Sequence, residues 1–329
     1  MTSLFRPMYR MLAAGVAIGV TGFLRAADTA NVTDPTVIVV AGSVGEAEFA
    51  PDFELQLKAW AAVSAQAGAR YVIIGDDQAA GALPDRERLQ QALGAEGKEG
   101  VAELWLVLVG HGTFDGREAK LNLRGPDLAA EDLATWLKPF KRPLAVVHTT
   151  SSSAPFIGKL AAPGRVIVSA TRSGYEQNYA RFGKYLAEAL GDPKSDLDRD
   201  GQISLLESFL SASHRTAEFY KTEGRLATEH ALIDDNGDGK GTPAEWFRGV
   251  LATKRAADGA SPDGTRAHQM HLVRSALEQQ LTPELRARRD QLEVQLAELR
   301  GRKAKLAEDK YLAELEKLLV AIAELYQGT

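Results

Sequence analysis

Residues 103–112 read ELWLVLVGHG, an apolar run that ends in a glycine, a histidine and a glycine. Large and β-branched apolar side chains without alternation are typical of a strand that is buried on both faces of a sheet. Similar short runs predict four further strands, at residues 36–41, 71–75, 144–147 and 165–170. Helical patterns separate these runs, so the sequence predicts a doubly wound α/β sheet, with functional residues beyond the carboxyl ends of its strands.

Polar residues follow two of these predicted strands. His111 ends the third strand, and the segment HTTSSSAPF, residues 148–156, follows the fourth. Because the carboxyl ends of parallel strands share one edge of the sheet, this arrangement is that of a histidine and a nucleophile on an α/β scaffold. Gly42 and Gly45 after the first strand do not complete a GxGxxG motif, so a loop turn explains them better than a dinucleotide site.

Four segments resemble the caspase-like clan of cysteine peptidases, nearest its legumain-like branch. They are AGSVG at 41–45, LVGHG at 108–112, TSSSAPF at 150–156 and SATRSGYEQNYARFGKYLAEAL at 169–190. The resemblance implies a caspase-like domain over residues 33–190. It also implies that His111 would serve as acid or base, that Ser151 occupies the position of the nucleophilic cysteine, and that Arg172 and Tyr175 would shape a peptide pocket.

The departure from this family is that the chain has no cysteine. An imidazole-activated thiolate forms near neutral pH, whereas a serine hydroxyl needs a well-placed base. The simplest interpretation is a peptidase fold that has lost cleavage and retains a peptide-binding cleft. Two alternatives stay open: Ser151 acts as a serine nucleophile with His111 as base and Asp115 as its orienting group, or His111 and the nearby His148 are only structural.

A metal-binding pattern lies downstream of this domain. Residues 196–207 read DLDRDGQISLLE and match the EF-hand template D-x-[DN]-x-[DN]-G-x5-E without a substitution. Ca²⁺ takes about six to eight hard oxygen ligands, and Gly201 at the sixth position permits the sharp turn. An acidic solvated turn is the alternative. The predicted ligands are Asp196, Asp198, Asp200, the backbone carbonyl of Gln202, Ser204 through a water molecule, and Glu207.

A second, weaker copy of the pattern follows at residues 234–245, DDNGDGKGTPAE. Gly241 replaces the aliphatic residue of the eighth position, and Pro243 interrupts the expected exiting helix. We predict an EF-hand pair over residues 191–253, joined by a helix over 205–220, with a Gly/Asp-rich turn as the alternative for this copy. Its predicted ligands are Asp234, Asn236, Asp238, Lys240, Thr242 and Glu245.

The amino terminus has the composition of an export signal. Arg6 and Arg10 precede an apolar run at 11–24 and then small residues, a pattern typical of a secretory signal peptide over residues 1–26. A retained anchor is the alternative, although the apolar run is short for a spanning helix. We therefore expect a secreted or periplasmic protein that is not an integral membrane protein after removal of the signal. The net charge of -5 gives no reason to expect a nucleic-acid partner.

The carboxyl-terminal part is predicted to be helical. A linker rich in small and turn residues, 254–267, precedes a helical segment over 268–327 in which leucines recur at spacings of seven and then three to four. This segment is either a helical hairpin or a coiled coil that self-associates. His268 and His271 are expected to be surface residues. The function classes that remain are a calcium-binding pseudopeptidase or peptide-binding module, a Ser151 peptidase, and a structural adaptor.

Overall fold

The structure is a computed structural model that describes residues 34–76, 83–254 and 261–327. Within these ranges a seven-stranded sheet forms the centre of the molecule. The strands in chain order are β1 (Thr36–Ala41), β2 (Arg70–Ile74), β3 (Leu104–Val109), β4 (Gly112–Phe114), β5 (Ala119–Leu121), β6 (Leu128–Ala129), β7 (Leu144–His148), β8 (Arg165–Ser169), β9 (Leu232–Asp234), β10 (Thr242–Pro243), β11 (Phe247–Arg248) and β12 (Leu251–Ala252).

The order of strands in the large sheet is β10-β9-β8-β7-β3-β1-β2. Five adjacent strands of this sheet run parallel, as the alternation of strands and helices predicted; they are β8, β7, β3, β1 and β2. β9 is antiparallel to β8, and β10 is antiparallel to β9. β4, β5 and β6 form a small antiparallel sheet, and β11 pairs with β12. The prediction of a doubly wound α/β sheet is therefore confirmed for the parallel part, and an antiparallel edge extends it.

Helices cover both faces of the large sheet, because successive side chains of a buried strand point to opposite faces. α1, α5 and α6 pack on the face that carries Val37 and Val39. α2, α3 and α4 pack on the face that carries Ile38 and Val40. The helices are α1 (Ala50–Gln66), α2 (Asp85–Ala95), α3 (Ala130–Leu137), α4 (Pro155–Leu160), α5 (Phe182–Ala189), α6 (Leu205–Thr222), α7 (Thr265–Gln269), α8 (Ala276–Gln280), α9 (Pro283–Arg302) and α10 (Glu308–Gln327).

The two predicted metal loops lie in different surroundings. The first connects the short turn Pro193–Ser195 to α6, so a helix leaves it as predicted. The second connects β9 to β10 and is thus a β-hairpin on the edge of the large sheet. The prediction of two helix-loop-helix units forming an EF-hand pair is wrong for this second loop. Pro243 prevents a helix from following the loop, and Ile233 before the loop is a buried strand residue.

The carboxyl-terminal segment contains α9 and α10, which are joined by the turn Lys303–Lys305. The hydroxyl of Tyr326, near the end of α10, donates a hydrogen bond to Glu278 in α8 and accepts one from Arg289 in α9. The end of α10 therefore lies beside the beginning of α9. In the part of the chain that the structure describes, every helix is too short or too polar to cross a bilayer. The predicted signal peptide, residues 1–26, lies outside the described residues.

Candidate functional site

His111 lies at the carboxyl end of β3, where its ring packs against aromatic side chains. The ring centroids of Phe49 and Phe53 are 4.9 and 5.3 Å from that of His111, and the ring of Tyr179 is 5.9 Å away. Its Nε2 is 3.0 Å from the carbonyl oxygen of Val44. Because a carbonyl can only accept, Nε2 carries the proton of this bond.

Ser151 is buried and fully engaged with the backbone of Gly112. Its Oγ accepts a hydrogen bond from the Gly112 N–H and donates one to the Gly112 carbonyl, both at 3.0 Å. A side chain at Gly112 would meet the Ser151 carbonyl at 2.1 Å, so only glycine permits this approach. Among the hydrogen bonds of the described residues, none joins His111 to Ser151 or to Asp115, whose carboxylate instead accepts from Arg117 and Glu118.

The loop after β8 covers the serine segment. The Ser152 N–H donates to the carbonyl of Glu176, and Gln177 Nε2 donates to the carbonyl of Phe114. Tyr175 stands on this loop with 74% of its surface exposed, edge-on to the ring of Phe114. Arg172, the other predicted pocket residue, pairs with Glu176. The loop is thus bonded to the serine segment at Ser152 and presents Tyr175 outward.

His148 is a buried structural histidine. It is the last residue of β7, its Nδ1 is 3.1 Å from the Thr150 hydroxyl, and its Nε2 has no partner among the described residues. Burial lowers the pKa of His148 to about 3, so the ring is neutral in the folded protein. These contacts fit the structural alternative for His148.

The first metal loop gathers its predicted carboxylates. One oxygen each from Asp196, Asp198 and Asp200 lies within 4.8 Å of the others. Ligands of one Ca²⁺ ion at about 2.3–2.6 Å are at most about twice that far apart, so this spacing fits a shared ion. Asp196 Oδ1 is buried without a hydrogen-bond partner among the described residues, as expected for an oxygen that faces a cation.

Backbone hydrogen bonds hold this loop in shape. Asp196 accepts from the N–H of Gly201, Asp198 accepts from that of Asp200, and Asp200 accepts from that of Gln202. Gly201 has φ of +85°, and Arg199 has φ of +63°. These bonds turn the carboxylates toward one centre.

Glu207 closes the loop from the first turn of α6, where it is fully buried. One of its carboxylate oxygens accepts from the N–H groups of Leu197 and Asp198, and the other accepts from the N–H and hydroxyl of Ser204. The Ser204 hydroxyl in turn accepts from the Glu207 N–H, which makes a capping box. Glu207 therefore reaches the loop interior from the twelfth position, as the sequence predicted.

His268 also contacts the first loop. Its Nε2 is 2.9 Å from Asp198 Oδ2, and one ligand atom each from Asp198, Glu207 and His268 lies within 4.8 Å of the others. Zn²⁺ takes such a mixed set, whereas Ca²⁺ prefers the oxygen set. His271 is buried, and burial lowers its pKa to about 4, so the expectation of a surface residue is wrong there.

The second loop brings together only part of its predicted ligand set. Asp234 accepts from the N–H of Gly237, Asn236 accepts from that of Asp238, and Asp238 accepts from that of Lys240. Glu245 lies apart from these residues. It is exposed in the turn Ala244–Trp246 and lines a separate cavity of about 350 Å³.

Asp263 approaches the second loop from a distant part of the chain. Its carboxylate accepts from the N–H groups of Asp235 and Asn236 and from the Thr242 hydroxyl. Burial raises the pKa of Asp234 to about 6 and that of Asp235 to about 7, and the charge of Asp263 contributes to both shifts. Several carboxylates are therefore crowded into a site where their charged forms are disfavoured without a cation.

Asp263 and Asp235 were not identified as site residues from the sequence, and His268 was expected to be a surface residue rather than a ligand. Asp263 and His268 lie outside both loop motifs, and Asp263 falls in the stretch expected to be a linker. The signal available at Asp263 was its residue type. It did not single out a ligand, because an Asp-Gly pair is as typical of a turn as of a ligand. For Asp235, the second position of the loop template carries no ligand, so the template gave no reason to select it.

The comparisons with known proteins concern the α/β fold. No protein-family model and no curated protein matches this chain. Caspase-1 from Spodoptera frugiperda is 9% identical with a TM-score of 0.41, covering 64% of this chain and 89% of that structure. The Drosophila initiator caspase Dronc is 11% identical with a TM-score of 0.37, covering 73% and 95%. Both TM-scores lie below 0.5.

Proposed function

We propose that this chain is an exported calcium-binding protein whose loop 196–207 holds one Ca²⁺ ion. The observation that carries the proposal is the convergence of the Asp196, Asp198 and Asp200 carboxylates within 4.8 Å, with one Asp196 oxygen left without a partner among the described residues. The ion would be held by these three side chains, Glu207 and the carbonyl of Gln202. Its positive charge would balance the negative charge of these carboxylates.

The ion would act as a structural clamp between the sheet and the carboxyl-terminal segment. Gln202 Oε1 accepts from the Ser275 N–H, and the Leu205 N–H donates to the Met270 carbonyl. His268 binds Asp198 from the same side. Rigidity of the loop therefore passes directly to residues 268–275. Outside the cytoplasm, calcium sites typically have dissociation constants of about 10⁻⁴–10⁻³ M, which suits a structural ion better than a signal.

The α/β domain is proposed to be a pseudopeptidase or peptide-binding module. Two observations support this. The Ser151 hydroxyl is buried and bonded to Gly112, and the His111 Nε2 proton is directed to Val44. A serine nucleophile needs a base within about 2.6–3.2 Å and access to substrate. The exposed Tyr175 beside Phe114 is the surface that a peptide would contact.

A second candidate function is assembly through α10. Leu312, Leu319 and Val320 are about half exposed on this helix. Their spacing of seven and eight residues places them on one face, and an exposed apolar helix face is typical of an association surface. A structural adaptor that self-associates would use this face.

The calcium proposal is tested by thermal unfolding with and without calcium. At 10 mM Ca²⁺ and a dissociation constant of about 10⁻⁴–10⁻³ M, mass action stabilises the folded state by about 1.4–2.7 kcal/mol, so we expect Tm to rise by about 2–4 °C. The double variant Asp196→Ala/Glu207→Ala should show a smaller rise, because it lacks the site in loop 196–207. The matched control Glu46→Ala/Glu48→Ala removes two exposed carboxylates and should keep the full rise. An unchanged wild-type Tm would contradict the proposal.

A further inference from the structure

The two metal loops share one hydrogen-bond skeleton despite their different flanks. In each, the third-position side chain accepts from the fifth-position N–H, and the fifth accepts from the seventh. In each, the fourth and sixth residues have positive φ, at Arg199 and Gly201 in the first loop and at Gly237 and Gly239 in the second. The β-hairpin flanks of the second loop therefore leave these hydrogen bonds unchanged, although Asp234 accepts from the fourth-position N–H whereas Asp196 accepts from that of the sixth.

The loops differ in which residue closes them. In the first loop, Glu207 accepts from the N–H groups of the second and third positions and from the hydroxyl of the ninth. In the second loop, Asp263 accepts from the N–H groups of the second and third positions, Asp235 and Asn236, and from the hydroxyl of the ninth, Thr242. Asp263 thus repeats the contacts of Glu207 from outside the loop.

The residue expected to close the second loop is elsewhere. Glu245 occupies the twelfth position, but Pro243 directs the chain into the turn Ala244–Trp246 and leaves Glu245 exposed. Asp263 in contrast is 4% exposed. Its position is fixed by Asp235, whose carboxylate accepts from the Ala267 N–H at the start of α7. The second loop therefore donates hydrogen bonds to Asp263, and the segment that carries Asp263 donates one back to Asp235.

An unpartnered oxygen also points to a ligand at this second loop. Asp234, at the first position, is 1% exposed, and its Oδ2 has no hydrogen-bond partner among the described residues. Its other oxygen accepts from Gly237, so the carboxylate faces the inside of the loop. A cleft of about 470 Å³ opens onto Asn236, Asp238 and Asp263, which gives an ion and its water molecules a way in.

We propose that the second loop is a Ca²⁺ site closed by Asp263, which takes the place of Glu245 as the acidic ligand. The inference rests on the proposed calcium function of the chain and extends it to a site assembled from two distant segments. Its oxygen ligands would be Asp234, Asn236, Asp238 and Asp263. Calcium bound there would fix residues 261–267 against the edge of the sheet.

Calorimetric titration of the full chain with CaCl₂ tests this assignment. We expect two sites in the wild type and two in Glu245→Gln. Asp263→Asn should weaken one site at least about tenfold and leave the other unchanged. Asp196→Ala/Glu207→Ala should retain one site, which Asp263→Asn added to it should remove. The loop 196–207 site that persists in Asp263→Asn reports that this variant is folded.

The outcomes separate the two proposals. A single wild-type site that survives Asp263→Asn and disappears in Asp196→Ala/Glu207→Ala would overturn the Asp263 assignment and keep the calcium function. Loss of one site in Glu245→Gln, a change at an exposed residue, would also overturn it, even if Asp263→Asn did not fold. Absence of any binding by the wild type would overturn both.

Discussion

At the scale of single residues, Ser151 is held as a structural hydroxyl. Its two hydrogen bonds satisfy the N–H and the carbonyl of Gly112 in a buried place. Ser151→Ala would leave both groups unpaired, and we expect a loss of about 1–3 kcal/mol in the free energy of unfolding. Chemical denaturation measures this loss.

The same variant tests for cleavage. In a peptide-library assay of the mature protein, with and without calcium, wild type and Ser151→Ala should give the same background signal. His111→Ala should give it as well. Turnover by the wild type that both substitutions abolish would show that the hydroxyl is a nucleophile and would contradict the pseudopeptidase proposal.

His148 makes stability depend on pH. Burial lowers its folded-state pKa to about 3, whereas the unfolded chain takes up a proton at about 6.5. Between these values the unfolded state binds more protons, so the stability present above pH 6.5 is lost as the pH falls toward 3. From pH 8 to pH 5 the wild type should lose about 2 kcal/mol more than His148→Asn, which keeps an acceptor near Thr150. Equal losses in denaturant titrations would contradict this.

At the scale of elements, the parallel strands of the large sheet were predictable, and its antiparallel strands β9 and β10 were not. β3 is a six-residue apolar strand that is wholly buried, and such runs are rare outside sheet cores. β9 and β10 have three and two residues, too few to show a period. The glycines and aspartates between β9 and β10 fit a metal loop whether strands or helices flank it. The EF-hand template assumes helices, so it led to the prediction of helical flanks.

The same contrast holds for the site. The spacing of the loop predicted that Asp196, Asp198 and Asp200 lie together and that Glu207 lies beside Asp198, and the structure has both arrangements because all four residues belong to one continuous loop. Asp263 is 29 residues downstream of Asp234, and no local pattern connects them. Contacts between distant segments depend on the fold, and a single sequence does not encode them as a motif.

The packing of α9 depends on a buried ion pair. Arg289 is bonded to Glu278 in α8, and both side chains are almost fully buried. Arg289→Ala would leave the Glu278 charge uncompensated, and we expect it to lower the free energy of unfolding by about 3–5 kcal/mol. Arg288→Ala, an exposed neighbour on the same helix, should change it by less than about 0.5 kcal/mol. Similar effects of the two changes in urea titrations would contradict this role.

Self-association through α10 has its own test. Sedimentation of the mature protein over a range of concentrations should show a dimer, and Leu312→Glu/Leu319→Glu should shift it to monomer because charges are costly in an apolar contact. The matched control Lys310→Glu/Lys317→Glu changes charge on the same helix without touching these leucines. A wild type that remains monomeric at all concentrations would contradict the adaptor function.

At the scale of the whole molecule, the first metal loop is expected to join the sheet to the carboxyl-terminal helices. Gln202 would bind the ion through its backbone carbonyl, while its side chain holds the Ser275 N–H. Gln202→Ala keeps this carbonyl and removes the side-chain bonds to Ser275 and to the carboxylate of Asp200. We expect this variant to bind calcium as the wild type does, yet to lose the protection that calcium gives against tryptic cleavage at Arg274. Equal protection of both proteins would show that the side chain does not transmit the effect.

The central claim is that residues 196–207 form a calcium site, and long-wavelength diffraction from crystals grown in 10 mM CaCl₂ tests it most directly. We predict an anomalous difference peak inside the loop, about 2.3–2.6 Å from carboxylate oxygens of Asp196, Asp198, Asp200 and Glu207. The contradicting result is no peak there, with Glu207 still accepting from the backbone of Leu197 and Asp198 and from Ser204.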